Sequence, residues 1–167
     1  LHTTIRGDEK LLIDAVHEHA VDLAIVDVRN EILNPDHYIN RFDVVLERCI
    51  STVKGTHALE FFESIGIPTV NSLSIAQICE NKFATSLALV KHLVPTPQFA
   101  LVFGENEAKS AIEQIGGYPV VIKPVSGSWG RLVARVNDEH ALEAIIEQKT
   151  VLGSPAHHAI YIQEYIE

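Results

Sequence analysis

What most limits the fold of this chain is the length of its apolar runs and the order in which they come. The runs are only about four to eight residues long, and over roughly the first 75 residues they alternate with segments whose apolar side chains recur at helical spacing. Leu11, Leu12, Ala15 and Val16 keep that spacing within residues 8–19, and Asp8 and Glu9 fall in the first turn, where the helix dipole favours anions. Residues 22–28 and 42–46 are short β-branched runs that read as buried parallel strands, and a helix over 55–65 precedes another strand at 67–70. The first helix is expected to follow a strand that is mostly missing. Strand and helix in alternation predict an open α/β layer with right-handed crossovers, a small Rossmann-like unit. Runs this short fall far below the ~20 residues that span a bilayer. A 47% hydrophobic content is likewise too high for a disordered polymer.

The pattern changes beyond residue 71. Ser72 or Ser74 is placed to cap a helix reaching residue 80, Asn81 to cap another reaching 92, and Val94-Pro-Thr-Pro97 then breaks the chain. A boundary near 80 follows, dividing the 167 residues into 1–80 and 81–167. The second part reads as a strand at 98–102, a helix at 105–115 stopped by Gly116-Gly117, an apolar run at 118–123, and a polar loop at 126–131. A strand at 132–136 completes a hairpin with the run before it. Asp138 caps a helix to about 149, a loop covers 153–158, and the last strand runs over 159–165 and leaves backbone donors and acceptors at an edge.

Charge removes one class of partner. The chain carries six basic against thirteen acidic residues over 1–80 and seven against nine over 81–167, for a net charge of −9. No stretch offers a basic footprint for nucleic acid. Cys49 and Cys79 sit in apolar surroundings without CxxC spacing and are expected to be buried, unpaired thiols; with no signal-peptide pattern, this points to a reducing, cytoplasmic setting. The absence of Met and an opening at Leu1-His2 predict a piece of a longer protein.

The residues most able to carry chemistry surround Pro124-Val-Ser-Gly-Ser-Trp-Gly-Arg131. Gly127 and Gly130 let successive N–H groups turn toward one anion, while Ser126 and Ser128 add donors without bulk. An ordinary hairpin turn accounts for the glycines equally well. Lys123 weighs against it, because a lysine ending an apolar strand calls for a permanent anion to offset its desolvation. Lys82 stands at the start of a helix, where the macrodipole disfavours a cation; it is either a solvated surface lysine or a second anion contact. Trp129 reads as a lid or packing anchor, and Arg131 as a phosphate fork or the partner of a surface acid. Gln163, Glu164, Tyr165 and Ile166 end the last strand, as an adenine-reading edge or a plain terminus. The histidines at 17, 19, 157 and 158 lack the spacing of a metal site, and no nucleophile set is evident.

In order, Asn71, Asn81-Lys82, Tyr118-Pro-Val-Val-Ile-Lys-Pro124, the loop through Arg131, and Tyr161-Ile-Gln-Glu-Tyr-Ile-Glu167 resemble the ATP-grasp superfamily, in the branch holding the ribosomal-protein glutamate ligase. Leu46-Glu-Arg-Cys49, Gly66-Ile-Pro-Thr-Val-Asn71, Lys82-Phe-Ala-Thr-Ser86 and the string from Lys123 to Leu132 are similar to the lysine-biosynthesis ligases that join 2-aminoadipate to a small amino-group carrier protein.

That resemblance implies a pre-ATP-grasp domain over 1–80 and the first part of an ATP-grasp domain, an α+β nucleotide-covering subdomain, over 81–167. It implies ATP phosphates on Lys82 and Lys123, a loop formed by Ser126, Gly127, Ser128, Trp129, Gly130, Arg131 and Leu132 folding over them, and adenine read by the backbone of Gln163, Glu164, Tyr165 and Ile166. The family's Mg²⁺ ligands and its acyl-phosphate-stabilising arginine follow that hinge, so this sequence holds no catalytic or metal residue of the pattern. The activity implied is ATP-driven ligation of 2-aminoadipate or glutamate to the carrier's terminal glutamate, in a protein without nucleic-acid or membrane partners and compatible with a homo-oligomer. The alternatives are a glutamate ligase acting on a ribosomal protein or on the carrier of arginine biosynthesis, and a non-catalytic nucleotide-binding module.

Overall fold

The structure, a computed structural model, describes residues 1–19, 21–127 and 129–167, with the side chains of residues 155 and 156 left aside. The chain forms two compact units, Leu1–Gln77 and Ile78–Glu167.

In the first unit, α1 (Gly7–His17) is followed by a 3₁₀ turn at Val28–Asn30 and the short α2 (Pro35–Tyr38). β1 (Val45–Leu46) and β2 (Thr69–Val70) pair in parallel through the crossover helix α3 (Thr52–Ser64), with Val45 opposite Thr69. The parallel pairing expected of a βαβ layer is therefore present, on strands of two residues. Ser51 starts α3 because its hydroxyl accepts from the Lys54 N–H at 3.5 Å. Tyr38, Val45, Phe62 and Ile67 form the unit's core, with the Tyr38 and Phe62 rings edge-to-face at 5.3 Å.

The expected strand over 22–28 is not formed. His2 donates its N–H to the Val26 carbonyl at 2.9 Å and accepts from the Val28 N–H at 3.1 Å, which pairs only the end of the segment. Along 21–25, no neighbouring backbone among the described residues completes a ladder. Val21 and Ile25 are consequently exposed, and their run faces a groove of about 270 Å³ shared with Leu12, Val16 and Val44. An apolar run supplies the drive for burial, but a strand also needs a partner backbone.

Ser72 accepts from the Ile75 N–H at 3.4 Å and begins α4 (Leu73–Glu80); Asn81 accepts from the Ala84 N–H at 2.9 Å and begins α5 (Lys82–Lys91). The second unit then builds β3 (Phe99–Val102), α6 (Glu105–Gln114), β4 (Val120–Lys123), β5 (Ala134–Val136), α7 (Glu139–Val151) and β6 (Ile160–Glu164). Gly116 and Gly117 stop α6 with φ of 107° and 88°, a backbone that side-chain-bearing residues rarely adopt. The sheet is antiparallel in the order β3-β6-β4-β5.

That order corrects the expectation of an open last strand. β6 is a central strand with β3 on one side and β4 on the other, because its alternating apolar residues fit a sheet that helices cover on one face. Val120, Ile122, Val136 and Ile162 point to that covered face, where they meet Ala108, Ile112 and Leu142 from α6 and α7. Lys109 ties the two helices together, its ammonium within 2.9 Å of Glu105, 2.7 Å of Glu139 and 2.9 Å of Glu143.

The cysteines differ from expectation too. Both are free, but Cys79 is exposed, since no residue of α4 is buried, and Cys49 is half-buried. Burial and the Glu47 carboxylate push the Cys49 thiol up to about 12.

Candidate functional site

Strand alternation places Phe99, Val121, Lys123, Arg135, Tyr161 and Gln163 on the sheet face turned away from α6 and α7, by the register that sets Val121 opposite both Arg135 and Gln163, and Tyr161 opposite Lys123. Part of this face is roofed by α5. Phe83 meets Phe99 edge-on at 5.9 Å, Phe99 stacks on Tyr161 at 6.0 Å, and the buried hydroxyls of Ser86 and Tyr161 lie 2.7 Å apart. These contacts fix α5 on the sheet and bring its first residue, Lys82, beside the end of β4.

There the chain closes on itself. Asn81 and Ser126 form an antiparallel bridge, the Lys82 N–H donates to the Val125 carbonyl at 2.9 Å, and the Lys82 ammonium donates to the Gly127 carbonyl at 2.7 Å. The start of α5 is thereby sewn to the base of the glycine loop. Lys123 donates from Nζ to Oε1 of Gln163, the neighbouring strand's residue on the same face. That hydrogen bond answers part of the desolvation argument for Lys123 without any anion.

The electrostatics leave the rest unanswered. Partial burial and the nearby Lys123 cation both lower the Lys82 ammonium from its ordinary value. Among the described residues, no carboxylate pairs with either lysine within 4.0 Å. Two cations 41 positions apart in sequence thus share one corner of the molecule with no carboxylate among the described residues paired against them.

Beyond Ser126 the loop turns through left-handed backbone at Gly127 (φ 120°), Trp129 (66°), Gly130 (63°) and Leu132 (58°). Glycine adopts this freely; Trp129 and Leu132 do so at a cost, which is common where a loop is shaped around a ligand. Trp129 is 72% exposed, so it is not a packing anchor, one of the two roles the sequence allows it. Arg131 is exposed and pairs with no acid among the described residues. Ser128 lies outside the described residues.

Of the expected hinge, Gln163 and Glu164 lie inside β6. Glu164 donates its N–H to the Gln98 carbonyl at 2.8 Å, while its carboxylate accepts from the Gln98 N–H at 3.1 Å. Tyr165 and Ile166 follow the strand and lie outside its ladder. Sequence reasoning missed the Gln163 acceptor, the Ser86–Tyr161 pair and Arg135, whose guanidinium lies 4.2 Å over the Tyr165 ring. Period-two alternation could have grouped residues 121, 123, 163 and 165 in two sets, but not shown that the sets share a face.

Residues 79–167 match the model of the RimK-like ATP-grasp domain, and residues 1–78 that of the LysX preATP-grasp domain. The chain belongs to the RimK-like ATP-grasp family. A glutamate–LysW ligase ArgX of Sulfurisphaera tokodaii is 32% identical over 98% of this chain. An alpha-aminoadipate–LysW ligase LysX of Saccharolobus solfataricus is 30% identical over 96% of it. The chain spans 57% and 59% of the length of these two relatives. The crystal structure of a RimK domain ATP-grasp protein from Sphaerobacter thermophilus is 29% identical and superposes with a TM-score of 0.80, covering 99% of this chain and 62% of that one. The fold is accordingly that of a pre-ATP-grasp domain joined to part of an ATP-grasp domain, as the RimK-like pattern of motifs implies.

Proposed function

We propose that this chain holds the ATP of a carboxylate–amine ligase, one that joins 2-aminoadipate or glutamate to the C-terminal glutamate of a small amino-group carrier protein. The observation that carries this reading is the meeting of Lys82 and Lys123 at the base of a glycine loop with no carboxylate to neutralise them among the described residues. A polyphosphate reverses the sign of that interaction: two cations that repel each other become two contacts to one anion. The described loop residues Gly127, Trp129, Gly130 and Leu132 turn the backbone through left-handed conformations beside Lys82, and Tyr165 and Ile166, beyond the ladder, are the residues set to meet the base. The relatives' names support LysW as acceptor, with glutamate in one and alpha-aminoadipate in the other. A cytoplasmic setting belongs to the same reading; no helix among the described residues is long and apolar enough to cross a membrane.

In such a ligation a carboxylate oxygen attacks the γ-phosphorus, ADP leaves, and the amine then displaces phosphate from the acyl carbon with loss of a proton. The part of Lys82 and Lys123 is to orient the phosphates and meet the charge that moves onto the leaving ADP. ATP-grasp ligases use Mg²⁺, but its donor set is not gathered here: among the described residues no three His, Cys, Asp or Glu side chains converge on one point, so no step is assigned to a metal on these residues.

Titration calorimetry tests the reading. Lys123→Ala and Lys82→Ala should each weaken ATP binding by about 10- to 100-fold, the worth of one charge-assisted contact at roughly 1.5–3 kcal/mol. Unchanged affinity in both variants would remove the phosphate assignment. ADP release by the full-length protein, measured with each amino acid and each candidate acceptor, chooses between the carrier and a ribosomal protein.

A further inference from the structure

We propose that Arg135 is the positioning residue of the nucleotide's base end, acting through Tyr165. This rests on the nucleotide reading above and adds a second pole to the site. Arg135 sits on β5 and Tyr165 just past β6, with β4 between them. The guanidinium nevertheless reaches across to lie 4.2 Å over the Tyr165 ring. Both belong to the face that carries Lys123 and Gln163, since Val121 is opposite Arg135 and Gln163, and Tyr165 follows Gln163 by two. No carboxylate among the described residues pairs with Arg135, so the ring is its one strong partner on this face.

The distance along the strand gives the contact its role. Lys123 is opposite Tyr161, and Tyr165 lies four residues further on, roughly 13 Å at strand rise. That is the reach of a ribose and phosphate chain laid out along the face, with phosphates at the lysine end and the base at the Tyr165 end. Glu164 makes the last ladder bonds, so strand pairing does not fix Tyr165 or Ile166, and a base is read best by backbone that is held in place. A guanidinium stacked on the ring supplies a hold that the ladder does not, before the ligand arrives. The contact therefore favours a nucleoside triphosphate over a bare polyphosphate, without Arg135 touching either.

The test compares ATP with inorganic tripolyphosphate, titrated calorimetrically into the full-length protein and into Arg135→Ala, Tyr165→Leu and the double variant. Arg135→Ala should weaken ATP binding about two- to fivefold, the worth of an exposed cation–π contact, and leave tripolyphosphate unchanged. The double variant should be no weaker than Tyr165→Leu alone. Equal losses for both ligands would make Arg135 a phosphate contact and overturn the proposal, as would ATP binding unaffected by Arg135→Ala, or losses that simply multiply in the double variant. Failure of the unsubstituted protein to bind ATP is a separate result: it overturns the nucleotide reading itself, and this proposal with it.

Discussion

Glu9 is the third residue of α1 and only 4% exposed, yet it is charged. Hydrogen bonds from the Arg6 guanidinium and backbone N–H, and another from Arg48, hold its carboxyl at about 2 against an ordinary value near 4.5. The first-turn position was legible from the sequence. Arg48, which contacts it at 3.0 Å from 39 positions away, was not, because periodicity carries no information about which distant charge will face a helix end. The pH consequence has a definite sign. A carboxyl whose folded value is depressed adds stability that is fully present above about 4.5 and is lost as pH falls toward about 2. Denaturant titrations should therefore show stability declining across that window, and Glu9→Gln should be less stable at neutral pH with a shallower decline below 4.5. A variant with the same acid slope as the parent would mean that other carboxyls carry the effect.

At the scale of elements, the helices and their caps were legible because capping is local: Asn81, Asp138 and Ser51 each act within three residues. The strand errors share a different cause. Residues 22–28 and 159–165 were both apolar enough to be strands, but whether a strand is absent, central or at an edge depends on which backbone comes to lie beside it, and that is settled by the whole sheet. The glycine loop and Lys123 were visible in the residues as a candidate anion site; the nearness of Lys82 was implied by the family resemblance alone, since physically it depends on α5 docking through Ser86 and Tyr161. That docking is testable. Tyr161→Phe removes one hydroxyl and leaves the buried Ser86 hydroxyl unpaired, at a cost of about 1–3 kcal/mol, whereas Ser86→Ala combined with Tyr161→Phe leaves no orphan and should be the more stable of the two. Equilibrium unfolding of the pair decides it: a double variant less stable than Tyr161→Phe would show that packing rather than the hydrogen bond holds α5 in place.

For the whole molecule, the chain divides into two compact units between Gln77 and Ile78. Each side has a core of its own kind. Aromatic contacts dominate the first, where Phe62 is fully buried and meets Tyr38, Phe42 and Phe61. Aliphatic packing between a sheet and two helices dominates the second, where Leu142 is fully buried. Among the described residues, the two core clusters share no buried side chain. Stability should then be lost unit by unit. Phe62→Ala should cost about 3–5 kcal/mol and Leu142→Ala about 2–5 kcal/mol, as expected for large-to-small changes that leave a cavity. Amide hydrogen exchange locates each loss: Leu142→Ala should speed exchange through β4, β6, α6 and α7 while α3 keeps its protection, and Phe62→Ala should do the reverse. The two substitutions would otherwise raise exchange equally throughout, as in a chain that unfolds in one cooperative step. That outcome would place the two cores in a single folding unit, and a polyphosphate bound at Lys82 and Lys123 would then protect α3 as strongly as it protects β4.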